Sequence, residues 1–118
     1  MKLKMTVGEK VLTATLSDNP TTKDFISLLP LTLTLTDYHG TEKVSALPKQ
    51  LSTKDALAGY MPSVGDITIY APWGNLAIFY KDFSYSSGLI VLGKIDTGID
   101  GLNVPGPVNM KIELLNNQ

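Results

Sequence analysis

The chain has no cysteine and no arginine, and it holds one histidine and one tryptophan in 118 residues. Without cysteine there is no disulfide framework, no thiolate nucleophile and no cysteine-ligated zinc. That absence fits a reducing or an oxidising compartment equally. Without arginine, the ten basic residues are all lysines, spread from Lys2 to Lys111 against eleven acidic residues, for a net charge of -1. Nucleic-acid binders need a concentrated basic face, usually rich in bidentate arginine, so no nucleic-acid partner is expected. No apolar run approaches the ~20 residues that span a bilayer, so no membrane span is expected. Met1 to Thr6 has a basic start with no apolar stretch behind it, which does not read as a signal peptide. A cytoplasmic location is the default expectation; an exported chain whose leader had been removed would read the same.

What is present suits a single domain over residues 1–118. Hydrophobic residues make up 43% of the chain, the level of an ordinary globular domain. A chain of this length buries roughly 65% of its unfolded surface, enough for a core without cross-links.

Short β-type runs dominate. Leu3, Met5 and Val7 alternate with Lys2, Lys4 and Thr6, the two-residue period of a half-buried strand. After a turn at Gly8-Glu9, Leu12, Ala14 and Leu16 repeat the pattern. Asn19 is a helix cap and Pro20 suits a first helical position, with Phe25, Ile26, Leu28 and Leu29 on one face. Pro30 ends that helix, predicted over Pro20 to Leu29. Leu31 to Thr36 reads as a strand with leucines inward, Asp37 to Gly40 as a turn, and Glu42 to Leu47 as a returning strand. Ser52 to Gly59 is expected to form one or two helical turns ending at Gly59. Further strands are expected at Asp66–Ala71, Leu76–Tyr80, Leu89–Ile95 (nearly all apolar, hence central) and Val108–Leu115. Ser84–Gly88 and the Gly- and Pro-rich Asp96–Pro107 read as loops, and Asn116 to Gln118 as a fraying end. The sum is a mainly β barrel or sandwich with one main short helix.

Several motifs together resemble the small microbial cyclophilin-like proteins. They are Asn19-Pro20-Thr21 with Phe25 and Leu29-Pro30, Gly65-Asp66-Ile67, Pro72-Trp73-Gly74-Asn75 with Ile78-Phe79-Tyr80, and Leu92-Gly93-Lys94-Ile95. The resemblance implies a closed eight-stranded barrel with a helix over one open end, in a family largely of unknown function. It is thinner to the true cyclophilins, the peptidyl-prolyl isomerases. Their catalytic arginine has no counterpart here, and lysine does not reproduce its planar fork. Anchored on Gly93-Lys94-Ile95, the pocket tryptophan, histidine and phenylalanine of cyclophilins fall near Tyr85, Leu89 and Ala77. The Gln-Gly-Gly-Asp signature reduces to Gly65-Asp66. Residual isomerase activity would need another donor, with Lys43, Lys49 or Asn75 as candidates.

Other constellations have bland readings. Asp96-Thr97-Gly98 matches the aspartic-protease tripeptide, in which two aspartates share a proton. Only 22 residues follow Asp96, too few for that fold, and Asp and Gly suit a turn. Asp96, Gly98, Asp100 and Gly101 make an acidic loop without the later glutamate of a calcium-binding hand. His39, beside Gly40, is expected as a solvated turn residue, and one histidine without cysteine makes a poor zinc site. No metal, cofactor or catalytic residue is assigned.

The aromatic cluster is the candidate site. Alternation places Ile67, Ile69 and Ala71 on one face with Leu76, Ile78 and Tyr80, and Tyr70, Ala77 and Phe79 on the other. If the first face is the core, the opposite face points outward, where the resemblance implies a ligand groove; alternatively the segment 48–65 simply covers it. Tyr70, Ala77, Phe79 and Tyr85 are the expected wall, with Trp73 and Asn75 at the rim and Trp73 chiefly a cap on the barrel end. The leading expectation is a non-enzymatic module binding a small molecule or peptide, with Phe79→Ala weakening binding but sparing the fold. The alternatives are an isomerase and a self-associating domain using exposed sheet edges. Oligomeric state is left open.

Overall fold

A computed structural model describes residues 1–115; the fraying expected at Asn116 to Gln118 lies outside the described residues. The N-terminal alternation becomes a hairpin of β1 (Lys2–Val7) and β2 (Lys10–Leu16), with Leu3, Met5, Leu12, Ala14 and Leu16 buried on its inner side. Helix α1 (Pro20–Ile26) starts where its chemistry predicts: the Asn19 side chain accepts a hydrogen bond from the Thr22 N–H at 2.8 Å, behind Pro20. It ends at Ile26 instead of Leu29. Leu28 and Leu29 donate to the carbonyls of Phe25 and Ile26, tightening the chain before the cis Leu29–Pro30 bond.

The remaining strands are β3 (Leu31–Tyr38), β4 (Glu42–Ala46), β5 (Gly59–Tyr60), β6 (Asp66–Tyr70), β7 (Asn75–Phe79), β8 (Ser86–Ser87), β9 (Leu89–Thr97) and β10 (Val108–Leu114). Eight of the ten strands close an antiparallel barrel in the order β1-β10-β3-β4-β7-β6-β9-β2, with β2 paired back to β1. Every barrel strand is therefore paired on both sides. Unpaired edges are left to β5 and β8, which pair with each other as a two-residue clip outside the ring.

That clip replaces the helical turns expected at Ser52–Gly59. So short a segment cannot offset the cost of helix nucleation, and it has better partners elsewhere. The Ser52 N–H donates to Asp24 Oδ2 at 2.7 Å, the Thr21 hydroxyl donates to the Ser52 carbonyl at 2.6 Å, and Gly59-Tyr60 pair with Ser86-Ser87.

The core is the barrel interior. Ile67, Ile69, Leu76 and Ile78 from β6 and β7 meet Leu92 and Ile95 from β9, Met110 and Ile112 from β10, and Phe25 from α1. Ala71 and Tyr80, expected on this inner face, fall beyond the strand ends and are only half-buried. Helix α1 closes the end of the barrel where β2 finishes and β3 begins. The β9–β10 connection, with a 3-10 turn at Ile99–Gly101, closes the opposite end, and Leu102 is fully buried there. Lys43 points into that end with its side chain wholly buried, donating to the carbonyls of Val104 at 2.7 Å and Gly106 at 2.6 Å.

Candidate functional site

The outer face of the barrel carries a grid set by strand register. In one row Tyr38 of β3, Glu42 of β4 and Phe79 of β7 stand side by side. The next row places Val44 beside Ala77, with Thr68 of β6 beyond. A third sets Asn75 beside Tyr70, with Leu89 of β9 beyond. Opposed Cβ atoms lie only ~5 Å apart, so these side chains touch. The central position is Ala77, the smallest side chain in the grid; its neighbours close over it until it is 1% exposed, and a hollow opens beside it.

That hollow is a cavity of about 520 Å³ lined by Tyr70, Trp73, Asn75, Ala77 and Phe79, together with Tyr38, His39, Glu42, Val44, Phe83, Ser86, Ser87 and Leu89. Its floor is an apolar cluster separate from the core, made of Ala77, Phe79 and Leu89 with Val44, Tyr60 and Tyr70 against them. Ser86 and Ser87 of β8, with Phe83 ahead of them, form one wall. Trp73 stands at the mouth, 63% exposed, edge-to-face with Tyr70 at 5.3 Å and with Tyr38 at 6.4 Å between ring centres.

Five of the six site residues expected from sequence therefore lie around one cavity, and Tyr85 does not. Its hydroxyl sits over Gly59, 2.5 Å from where a Cβ on that glycine would lie, and its ring is otherwise exposed. Phe79 faces the expected way but is only 1% exposed, stacked near Phe83 at 6.4 Å between centres. It is a floor residue whose loss would cost packing, contrary to the expectation that Phe79→Ala spares the fold.

Of the three candidate donors, Asn75 lines the cavity, Lys49 is exposed away from it, and Lys43 points into the barrel end. Asp96 belongs to β9 instead of a turn. It accepts hydrogen bonds from the Thr15 hydroxyl at 2.6 Å and from Lys2 at 3.2 Å, which hold its carboxyl below the ordinary aspartate value. Asp66 is used by the fold as well: it accepts from the Tyr60 hydroxyl and the Ser63 N–H and pairs with Lys94 at 3.3 Å, anchoring the start of β6. Among the described residues no group of three or more His, Asp or Glu side chains is placed to hold a metal ion. Among them, too, no helix is long and apolar enough to cross a membrane.

Sequence reasoning passed over Tyr38 and Glu42 and read His39 only as a solvated turn residue. His39 sits in the β3–β4 turn with positive φ, its ring 4.2 Å from that of Tyr38 at the cavity edge. Glu42 is the one acidic residue of the lining and is 9% exposed. Burial pushes its carboxyl above the ordinary glutamate value, and the Thr41 hydroxyl, donating at a long 3.4 Å, opposes that only weakly. The signal for Glu42 lay in the alternation of β4, which puts Glu42 and Val44 on the face of Ala77 and Phe79.

A family model described as the cyclophilin-like family matches residues 5–113. The chain belongs to that family. Its fold is also found in a hypothetical protein from Archaeoglobus fulgidus known from a solution structure, 17% identical, with a TM-score of 0.66 over 96% of this chain and 93% of that one. No curated protein matches the chain. The cyclophilin-like barrel accounts for the grid: its antiparallel register fixes which side chains meet on the outer wall, while the β3–β4 turn, the β6–β7 turn and the excursion between β7 and β9 supply the walls of the cavity.

Proposed function

We propose that this cyclophilin-like domain is a non-enzymatic binding module that takes a small molecule or a short peptide segment in the outer groove. The observation that carries this reading is the cavity above Ala77. Its volume lies within the ~300–1,000 Å³ usual for small-molecule sites, and it joins an apolar floor to a few polar groups, Asn75, Glu42, Ser86 and Ser87. Against isomerase activity stand the missing arginine and the engagement of Lys43 elsewhere. Against self-association through sheet edges stands the closed ring of barrel strands.

The test is an amide NMR titration of the labelled protein with short Xaa-Pro peptides and a panel of small apolar molecules. The reading predicts shifts clustered on residues 38–44, 70–79 and 83–89, with cis–trans exchange of the peptides unchanged. Shifts elsewhere, or none, would sink it. Faster exchange would replace it with the isomerase reading.

A further inference from the structure

Glu42 is the anomaly of the groove. A buried carboxylate normally has a cation or several donors close by. Glu42 has neither. Its one hydrogen bond comes from Thr41 at 3.4 Å; Oε2 accepts none from the described residues and is open to solvent rather than sealed. The neighbouring charges are committed. Lys43, next in sequence, turns to the opposite side of the sheet and is held by two carbonyls and Asp37, and Asp37 in turn accepts from Tyr80. No lysine lines the cavity among the described residues. Glu42 nonetheless stands in a row between Tyr38 and Phe79, over an apolar floor.

We infer that the groove receives a small primary ammonium with an apolar body, the cation meeting the Glu42 carboxylate and the body lying on Val44, Ala77 and Phe79. Charge complementarity selects this class. An ammonium brings N–H donors and a positive charge to a carboxylate lacking both, and such charge-assisted bonds are the strong ones. The aromatic rim suits the same ligand. Tyr38 stands directly across the strand pair from Glu42, and Trp73 meets Tyr38 edge-to-face, so aromatic rings border the groove beside the carboxylate. An anion would meet an unpaired carboxylate and is rejected. A neutral body of the same shape fills the floor but leaves Glu42 unpartnered. The inference rests on the groove reading above and narrows it to one ligand class.

The experiment uses three probes of one shape, benzylamine, benzyl alcohol and benzoate, each titrated at neutral pH into the labelled full chain and its Glu42→Gln variant. Amide shifts report both the place and the strength of binding. The expected result is benzylamine shifting residues 42–44 and 77–79, about tenfold tighter than benzyl alcohol, with benzoate inert. In Glu42→Gln the amine should lose that tenfold advantage while benzyl alcohol binds as before. Equal binding of amine and alcohol, or an amine affinity unchanged by Glu42→Gln, overturns the ammonium inference and leaves the groove standing. If no probe shifts the groove residues, the inference fails, and silence from the peptides and apolar panel as well takes the groove reading with it. The amide spectrum of the free variant, matching that of the parent outside residues 40–44 and 77–79, establishes that the comparison is made on a folded protein.

Discussion

The Lys43 ammonium lies 3.3 Å from Asp37 Oδ1 across the β3–β4 pair, one end of that contact sealed in the barrel and the other a third exposed. The lysine also donates to two loop carbonyls, so it ties the β9–β10 connection to the barrel wall. Lys43→Met keeps the length of the stem but leaves Val104 and Gly106 without their donor. We expect a loss of about 2–3 kcal/mol in urea unfolding. A loss below about 0.5 kcal/mol would mean that water replaces the ammonium without cost.

Tyr80 donates its hydroxyl to the same aspartate. Burial and the neighbouring Asp37 charge push its phenol up to about 12, while Tyr80 and then Lys43 hold Asp37 below the ordinary carboxylate value. The Tyr80 contribution to stability is therefore complete below pH ~10 and lost as pH rises through about 12. Spectrophotometric titration of the tyrosines should resolve a late-ionising ring that disappears in Tyr80→Phe. An unchanged curve in that variant would refute the assignment.

Glu42 gives a pH dependence at the other end of the scale. Its folded value is raised above 4.5, so the folded state holds the proton more tightly than the unfolded chain. Its contribution is complete below the unfolded value and is lost as pH rises through the raised one. Asp37 and Asp96, both lowered, slope the opposite way, so the readout is a difference. Glu42→Gln should gain stability relative to the parent as pH climbs from about 4 to about 8. A constant difference across that range would remove the buried-carboxylate account.

Gly93 sits where β2 and β9 approach too closely for a side chain. A Cβ there would fall on the Thr15 carbonyl oxygen and 2.8 Å from Leu16 Cα, both backbone atoms that cannot yield cheaply. Gly93→Ala should cost about 2–3 kcal/mol by thermal or urea unfolding. Wild-type stability in this variant would contradict the packing of β2 on β9.

Two aromatic truncations should separate floor from mouth. Phe79→Ala removes a fully buried side chain and should cost about 3 kcal/mol, with groove binding lost alongside. Trp73→Ala removes an exposed ring and should leave stability within about 0.5 kcal/mol of the parent while weakening any groove ligand several-fold. If Trp73→Ala changes neither, the mouth takes no part in binding.

The barrel was legible because a period of two leaves a plain mark: Leu3/Met5 against Lys2/Lys4, or Leu31/Leu33/Leu35 against the intervening threonines. The outer face followed from the same alternation in β6 and β7. Its depth did not, because the hollow depends on pairing β4 beside β7, a contact between segments some thirty residues apart. Alternation in β4 holds as well, but it sends a lysine, Lys43, inward and Glu42 outward into a half-apolar setting, which composition alone does not suggest. Only the carbonyls of Val104 and Gly106 explain a buried lysine there. Tyr85 was misplaced for a related reason: Ser86-Ser87 carry no strand signal, so the clip that turns its ring over Gly59 is a tertiary fact alone.

The pairing of β1 with β10 has a mechanical consequence. Leu3 faces Leu114, the rungs run inward to Thr6 and Lys111, and the Leu115 N–H donates to the Lys2 carbonyl at 2.9 Å. Tension applied between Lys2 and Leu115 thus meets these hydrogen bonds one after another, as in a zipper, and never loads them together as shear would. A ring with no seam at equilibrium has one under force, and it opens between the first strand and the last.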